Sequence, residues 1–155
     1  MIRKNTLKNV LIRLVSQTFK DYEVIVIDDG STDDSAEIVN EYVKHNKNIR
    51  LIRQANQGVV VARNNAIKQA QGTYIYPLDA DDVISPSCLE KLCAAMEENK
   101  GDVIYSDVEY FGLKNGLFLK KEPNVWNMSV GNQIVVSALY RKSDWEKYMA
   151  DMMKI

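Results

Sequence analysis

Carboxylates collect at two points of this sequence, and each point directly follows an apolar run that is typical of a buried strand. The first run ends at Asp28 and Asp29, and the second ends at Asp79 and Asp81. Carboxylates this close repel one another and are tolerated mainly where a cation or a hydrogen-bonding ligand compensates. Because neither cluster contains Cys or His, the donors suit Mg²⁺ or Mn²⁺, which usually also bind substrate phosphates. The pattern therefore predicts a metal-bound phosphate compound as the ligand.

Each cluster also has a purely structural interpretation. A D-x-D pattern such as Asp79 to Asp81 occurs in solvated acidic loops, although its place directly after a buried strand favours a functional site. Asp28 and Asp29 lead into Gly30, so turn formation and helix capping are the alternatives there. For Asp29 both interpretations stay open.

Arg63 departs from the apolar pattern of its predicted helix. It shares the i, i+3, i+4, i+7 spacing with Val59, Ala66, Ile67 and Ala70, so a guanidinium lies on the face expected to pack against the core. One interpretation is a bidentate contact with the acid clusters or with a nucleotide. The other is a structural ion pair, for instance with an Asp of the first cluster.

Helical and strand patterns alternate along the chain. Helices are predicted from about Thr6 to Gln17, after the acidic turn at 31–34, between Gly58 and Gly72, from Pro86 onward with Ser85 as N-cap, and from Ser143 to Met152. Strands are predicted at 22–27, 49–53, 73–78, 103–111 and 134–140. This order predicts one α/β domain with a mainly parallel sheet and helices on both faces. If both acid clusters follow strands of one such sheet, they share an edge.

The overall composition is that of an ordinary globular domain. The 155 residues include 20 Lys and Arg against 21 Asp and Glu, a formal net charge of −1, which argues against nucleic acid as a partner. The two cysteines, Cys88 and Cys93, are too few for a disulfide framework and are expected to be reduced. The sequence has no apolar run of about 20 residues, so no transmembrane segment is predicted. A cytoplasmic protein is the expectation.

Four segments, taken together and in this order, resemble the family 2 glycosyltransferases. They are SQTF at 16–19, EVIVIDDGSTD at 23–33, NQGVVVARN at 56–64 and LDADD at 78–82. The resemblance implies a GT-A fold, a Rossmann-like α/β sandwich with a mostly parallel mixed sheet. It also implies transfer of a sugar, with inversion, from a nucleotide diphosphate donor that is commonly UDP-linked.

The resemblance assigns the first cluster and the following helix to the nucleotide. Asp28 matches the acid that hydrogen-bonds the nucleobase, while Asp29 more plausibly organises the turn. Gly58 and Arg63 match the segment that closes over the nucleotide.

The second cluster matches the metal-binding part of the family's site. Asp79 corresponds to the acid near the ribose and donor sugar, Asp81 to the acid that faces Mg or Mn, and Asp82 is a secondary candidate. The implied acceptor is a carbohydrate or a lipid-linked compound, in cell-surface polysaccharide biosynthesis. That role would place the protein in the cytoplasm or peripherally at the inner face of the membrane.

The sequence departs from the family pattern at both ends. Met1 to Asn5 cannot supply the apolar strand with which family members usually begin, so another segment or a second copy in a homodimer is expected to fill that slot. No acid matches the family's later Glu-Asp motif, so no catalytic base is assigned and one is expected beyond Ile155. We therefore expect residues 1–155 to form a single partial domain that represents the donor half best, binds donor weakly and transfers sugar poorly.

Two other functions remain as alternatives. One is a phosphohydrolase of the haloacid dehalogenase type, with Asp79 as nucleophile and Asp81 as acid/base. The other is a non-catalytic, receiver-like or nucleotide-sugar binding module that uses Asp28 and Asp29.

Overall fold

A computed structural model describes residues 4–98, 101–110, 115–118 and 136–152 of the chain. Within these ranges the helices are α1 Lys4–Val15, α2 Ser35–His45, α3 Val59–Gln69, α4 Cys88–Glu97 and α5 Lys142–Met152. The strands are β1 Val24–Asp29, β2 Ile49–Gln54, β3 Tyr74–Ile75, β4 Val103–Tyr105, β5 Val108–Tyr110, β6 Gly116–Phe118 and β7 Ala138–Arg141. Strands and helices alternate through the first two thirds, as predicted.

The first half of the fold is built on a parallel pair of strands. β1 and β2 run side by side in register from Val24 opposite Ile49 to Asp29 opposite Gln54. The run of Val and Ile in β1 favours this extended conformation, because branched side chains pack well on a pleated surface. The parallel register brings the last residues of both strands to the same end of the pair.

Two helices cover this pair with their apolar stripes. Leu7 and Leu11 of α1 and Val39 of α2 form a buried cluster, against which Val26 of β1 and Leu51 of β2 pack. Full burial of one such side chain stabilises a fold by roughly 1.5–3 kcal/mol relative to exposure. The apolar spacing of α1 and α2 thus places one face of each helix against the β1–β2 pair.

The second half contains an antiparallel sheet with the order β3, β7, β4. The α4 helix packs on it through Leu89, Leu92 and the fully buried Met96, which contact Leu139 of β7. Because β3 pairs antiparallel with β7, the two acid clusters do not follow strands of one parallel pair. An α/β fold with mixed strand pairing is confirmed, and among the described strand pairs only β1 and β2 are parallel.

Two predicted strands are shorter than their apolar runs. The strand expected at 73–78 forms only Tyr74–Ile75, because Pro77 has no backbone N–H to donate to a ladder. The strand expected at 103–111 divides into β4 and β5, since β5 pairs with β6 in a separate hairpin instead of continuing along β7.

The expected inward position of Val59 is wrong. Val59 is 63% exposed, whereas Ala62 and Ile67 of the same helix are buried. The backbone N–H of Gly58 is bound by Asp29, the last residue of β1, so α3 begins level with the end of that strand. The first turn of the helix therefore has little of β1 to pack on.

Two further predictions concern the chain as a whole. Cys88 and Cys93 are free thiols, as expected. None of the described helices has both the length and the apolar character that crossing a membrane requires. Residues 1–3 and 153–155 lie outside the described part, while Lys4 and Asn5 belong to α1.

Candidate functional site

Asp29 ties the end of β1 to the start of α3. One carboxylate oxygen accepts hydrogen bonds from the Gln57 backbone N–H at 2.9 Å and from the Gln54 amide at 2.8 Å. The other oxygen accepts from the Gly58 N–H at 2.9 Å. These bonds, led by the one from Gln57, hold the pKa of Asp29 below its usual value. Asp29 therefore organises the turn that leads into the helix.

Gly58 is suited to this turn by its backbone. Its φ of +86° lies in the left-handed region, which side chains other than that of glycine rarely allow. A Cβ at this position would meet no other atom within 4 Å, so the requirement is conformational rather than steric crowding.

Asp28 is buried beside Asp29 and has different partners. It accepts from the Ser31 backbone N–H at 2.8 Å and from Arg53 Nε at 3.0 Å. Burial by itself would raise the pKa of Asp28, but the Ser31 bond and the Arg53 charge outweigh it and lower the pKa. Arg53 was not among the predicted site residues. Pairing the two parallel strands in register would have found it, since Arg53 lies directly opposite Asp28.

Arg63 reaches the second acid cluster. Its guanidinium Nη2 lies 2.8 Å from Oδ1 of Asp79, and the two side chains are 33% and 46% exposed. The partner belongs to the second cluster, and the contact is a single hydrogen bond rather than a bidentate pair, so the ligand-binding and the structural interpretations of Arg63 both stay predictions. A half-exposed pair of this kind contributes about 0.2–1 kcal/mol to stability.

The α3 helix thus joins the two clusters. Asp29 binds the backbone just before the helix, at Gly58, and Asp79 binds Arg63 five residues later. Five residues of helix rise about 7.5 Å. This rise separates the two attachment points along the helix axis.

The acid loop, residues 79–87, carries the remaining carboxylates. The Asp82 N–H donates to the Asp79 carbonyl at 3.1 Å, so the chain turns here and crowds the acids. Burial raises the pKa of Asp82, and the charges of Asp81 and Asp79 raise it further. The ionised loop would therefore be stabilised by a nearby cation.

The donor set fits a hard divalent cation that is shared with a ligand. In the described part of the chain, no group of three acid, His or Cys side chains forms a complete metal site. Asp79 and Asp81 can each offer carboxylate oxygens, which suit Mg²⁺ or Mn²⁺ when phosphate oxygens and water complete the shell.

The start of α4 differs from the sequence prediction. Ser85 is not the N-cap, because the helix begins at Cys88 and Ser87 in the cap position makes no side-chain cap bond. The Leu89 N–H in the first turn instead donates to the side-chain oxygen of Gln17 at 3.2 Å. Gln17 had no assigned role in the sequence, although it lies in the SQTF segment at 16–19 that carries part of the family resemblance.

The sequence matches a known protein family and several known proteins. The sequence profile described as Glycosyl transferase family 2 matches residues 2–148. The chain is 43% identical over 91 residues to the uncharacterized glycosyltransferase EpsJ of Bacillus subtilis, covering 59% of this chain and 26% of EpsJ. It is 40% identical over 97 residues to the uncharacterized glycosyltransferase YibD of Escherichia coli, covering 63% of this chain and 28% of YibD. The chain thus spans roughly a quarter of these relatives.

Solved structures show the same architecture. The structure of Staphylococcus aureus TarS 1-349 in complex with UDP-GlcNAc matches 94% of this chain and 44% of TarS 1-349, with a TM-score of 0.74 and 28% identity. A second match is the structure of the mannosyltransferase PcManGT from Pyrobaculum calidifontis in complex with GDP-Man and Mn²⁺. This match covers 70% of this chain and 33% of the PcManGT chain, with a TM-score of 0.62 and 20% identity. The latter likeness concerns the fold alone. The predicted GT-A fold is confirmed.

Proposed function

The chain belongs to Glycosyl transferase family 2, and from that premise we propose that it binds a nucleotide diphosphate sugar, with UDP as the nucleotide, and supplies the donor half of a sugar transfer site. The observation that carries the proposal is the Arg63–Asp79 ion pair, which links the helix after the first acid cluster to the second cluster. The UDP-GlcNAc bound to TarS supports the choice of donor class.

The nucleotide end of the proposed site is the buried carboxylate of Asp28. This carboxylate accepts two hydrogen bonds from Ser31 and Arg53. A carboxylate has about four acceptor positions, so Asp28 retains capacity for an N–H of a nucleobase. Asp29 already accepts three bonds, and we assign it the turn and not the base.

The diphosphate end of the proposed site is the acid loop. Asp79 and Asp81 would hold Mg²⁺ or Mn²⁺ together with diphosphate oxygens, and the cation offsets the negative charge of the leaving diphosphate. Arg63 lies beside Asp79 and adds a second positive charge at the same place. These residues bind and orient the donor rather than move a proton.

The proposed transfer is a single displacement with inversion. The acceptor oxygen bonds to the anomeric carbon while the bond from that carbon to the diphosphate oxygen breaks, and the hydroxyl proton leaves to a base. We assign no residue to that base, because Asp144, Glu146 and Asp151 on α5 match no family motif and Glu146 pairs with Lys142 at 3.4 Å. Slow transfer by this chain is therefore part of the proposal.

The remaining parts of the proposal concern the surroundings. The acceptor is a carbohydrate or a lipid-linked compound in cell-surface polysaccharide biosynthesis, and the reaction takes place in the cytoplasm or at the inner face of the membrane; these statements rest on the family resemblance.

A homodimer or another segment completing the sheet is supported by one observation. Among the described strands, no ladder joins the β1–β2 pair to the β3–β7–β4 sheet. Sedimentation velocity tests the dimer, and a monomer at all concentrations would contradict it.

Titration calorimetry with UDP and Mn²⁺ tests the donor site. We expect binding that weakens about 10-fold or more in Asp81→Asn, since loss of a metal ligand costs affinity at least as much as loss of a residue that supports one. Asp21→Asn is the matched control, because Asp21 is exposed and precedes β1, at the opposite end of that strand from Asp28. Equal affinity for UDP and Mn²⁺ in both variants would overturn the proposed donor site. Rapid sugar transfer would contradict the proposal that this chain transfers sugar slowly.

One of the two alternative functions is set aside and the other is still tested. Because the chain belongs to Glycosyl transferase family 2, the haloacid dehalogenase-like interpretation of Asp79 and Asp81 is not carried further. The non-catalytic nucleotide-sugar module is an outcome of the same experiment: binding that depends on Asp81, without sugar release or transfer to any acceptor, would favour it.

A further inference from the structure

Gln17 is a completely buried polar side chain two residues after the end of α1. Its exposure is 0%, although amides of this size usually lie at the surface. Its Nε2 donates to the Arg13 carbonyl at 3.1 Å and to the Ser85 carbonyl at 2.8 Å. Its side-chain oxygen accepts from the Leu89 N–H at 3.2 Å. One amide therefore binds the end of α1, the acid loop and the start of α4.

Thr18 adds three contacts to the same region. Its backbone N–H donates to the Pro86 carbonyl at 2.8 Å, and its hydroxyl lies 3.3 Å from that oxygen. The hydroxyl also donates to Glu90 Oε2 at 2.7 Å. Gln17 and Thr18, here called the clamp, thus hold the chain on both sides of Pro86.

The acid loop is consequently held at both ends. Asp79 at its start is paired with Arg63, and Ser85 and Pro86 near its end are bound by the clamp. Ile84 is buried in the α4 core, but an apolar contact of this kind does not fix the orientation of the loop. The hydrogen bonds of the clamp fix that orientation, because their donors and acceptors must be aligned.

We propose that the clamp is a positioning device for the acid loop, and that Gln17 sets the affinity of Asp79 and Asp81 for a divalent cation without touching it. The inference rests on the proposed function for its metal and diphosphate. It goes beyond that function by assigning a role to two residues that lie outside the donor site.

The chemistry of the clamp requires an amide at position 17. The two carbonyls need N–H donors and the Leu89 N–H needs an acceptor, which only Asn and Gln supply in one neutral side chain. Gln17→Glu keeps an acceptor for Leu89 but turns oxygens toward the two carbonyls. Gln17→Met keeps the length of the side chain and removes both functions.

Amide hydrogen exchange tests the clamp without any ligand. In Gln17→Met we expect exchange to become about tenfold faster across residues 82–90, the scale of one lost buried hydrogen bond, with β1 and β2 unchanged. Thr18→Val should give a smaller effect in the same segment, and Thr18→Ser should restore it because the hydroxyl remains. Unchanged exchange across 82–90 in both Gln17→Met and Thr18→Val would overturn the clamp.

A second experiment tests whether Gln17 sets the affinity of the acid loop for a cation. It measures the affinity for Mn²⁺ in the presence of UDP, by electron paramagnetic resonance of the free ion. We expect about a 10-fold loss in Gln17→Glu and Gln17→Met, as for other residues that orient metal ligands. Ile49→Ala is the control, because Ile49 is buried at the start of β2 and belongs to neither of the two core clusters against which acid-loop residues pack. If Gln17→Met and Ile49→Ala lose the same affinity at matched melting temperature, Gln17 contributes only to general stability and the proposal is overturned.

The two experiments separate this inference from the proposed function. If the unchanged chain binds no Mn²⁺ with UDP, the proposed function and the metal consequence of the clamp both fail. The exchange experiment still decides whether Gln17 orders the loop. If the unchanged chain binds Mn²⁺ but Gln17→Met binds it equally well, the clamp fails and the proposed function stands.

Discussion

Arg63 and Asp79 meet at 2.8 Å, and their contact connects the helix that follows the first acid cluster to the loop that carries the second. The pair is not deeply buried, so its energy is too small to explain why a cation lies on the apolar side of α3. Its position explains the arrangement better. The guanidinium holds one carboxylate of the acid loop while remaining accessible to an anion.

Replacing Arg63 should therefore affect binding more than folding. For Arg63→Ala we expect a change in unfolding free energy of at most about 1 kcal/mol. We expect affinity for UDP with Mn²⁺ to fall about 10-fold, because Asp79 loses the group that orients it. Arg63→Lys should recover part of the affinity, since the charge remains. Urea unfolding and calorimetry measure the two quantities, and a large stability loss with unchanged binding would contradict the prediction.

Asp29 should make stability fall at acid pH. Its folded-state pKa is lowered, chiefly by the Gln57 N–H, so it stabilises the fold above its unfolded pKa of about 3.9. That contribution is lost as pH falls through the lowered folded value. The melting temperature of Asp29→Asn should thus lie below that of the unchanged chain at pH 6, with a difference that shrinks toward pH 2. Asp21→Asn, at an exposed position, should show no such trend.

Asp82 should lower the stability of the fold as pH rises, which is opposite to the effect of Asp29. Burial, together with the charges of Asp81 and Asp79, raises its pKa in the folded chain. A raised carboxyl pKa favours folding when the group is protonated, below its unfolded pKa, and this advantage is lost as pH rises through the folded value. Without metal at pH 7, Asp82→Asn should therefore melt at a higher temperature than the unchanged chain.

Mn²⁺ provides the counter-test for Asp82. A cation at the acid loop reduces the repulsion, so the advantage of Asp82→Asn should become smaller when Mn²⁺ and UDP are added. Thermal unfolding at pH 7 and pH 3, with and without the ion, measures this difference. A lower melting temperature for Asp82→Asn at pH 7 without metal would show that the hydrogen bond between Asp82 and Ser137 outweighs the repulsion.

Local patterns predicted the elements well wherever one rule acted alone. The β-branched run predicted a strand at 22–27, and β1 forms two residues later at both ends, at Val24–Asp29. The helical spacing of Leu7, Val10 and Leu11 matches the buried face of α1. Val59 followed the same spacing and was misplaced, because the end of β1 limits what α3 can cover. Periodicity reports which side of a helix faces inward and not how far the neighbouring strand extends.

The candidate site divides in the same way. Residue type and order along the chain were enough to identify Asp28, Asp29, Asp79 and Asp81 as the acids of interest, and to mark Arg63 as needing a partner. Which carboxylate Arg63 meets, that Arg53 lies beside Asp28, and that Gln17 supports the acid loop were decided by the tertiary structure. Composition and periodicity describe near neighbours in the chain. These three contacts join residues 16, 25 and 68 positions apart, where only packing selects the partner.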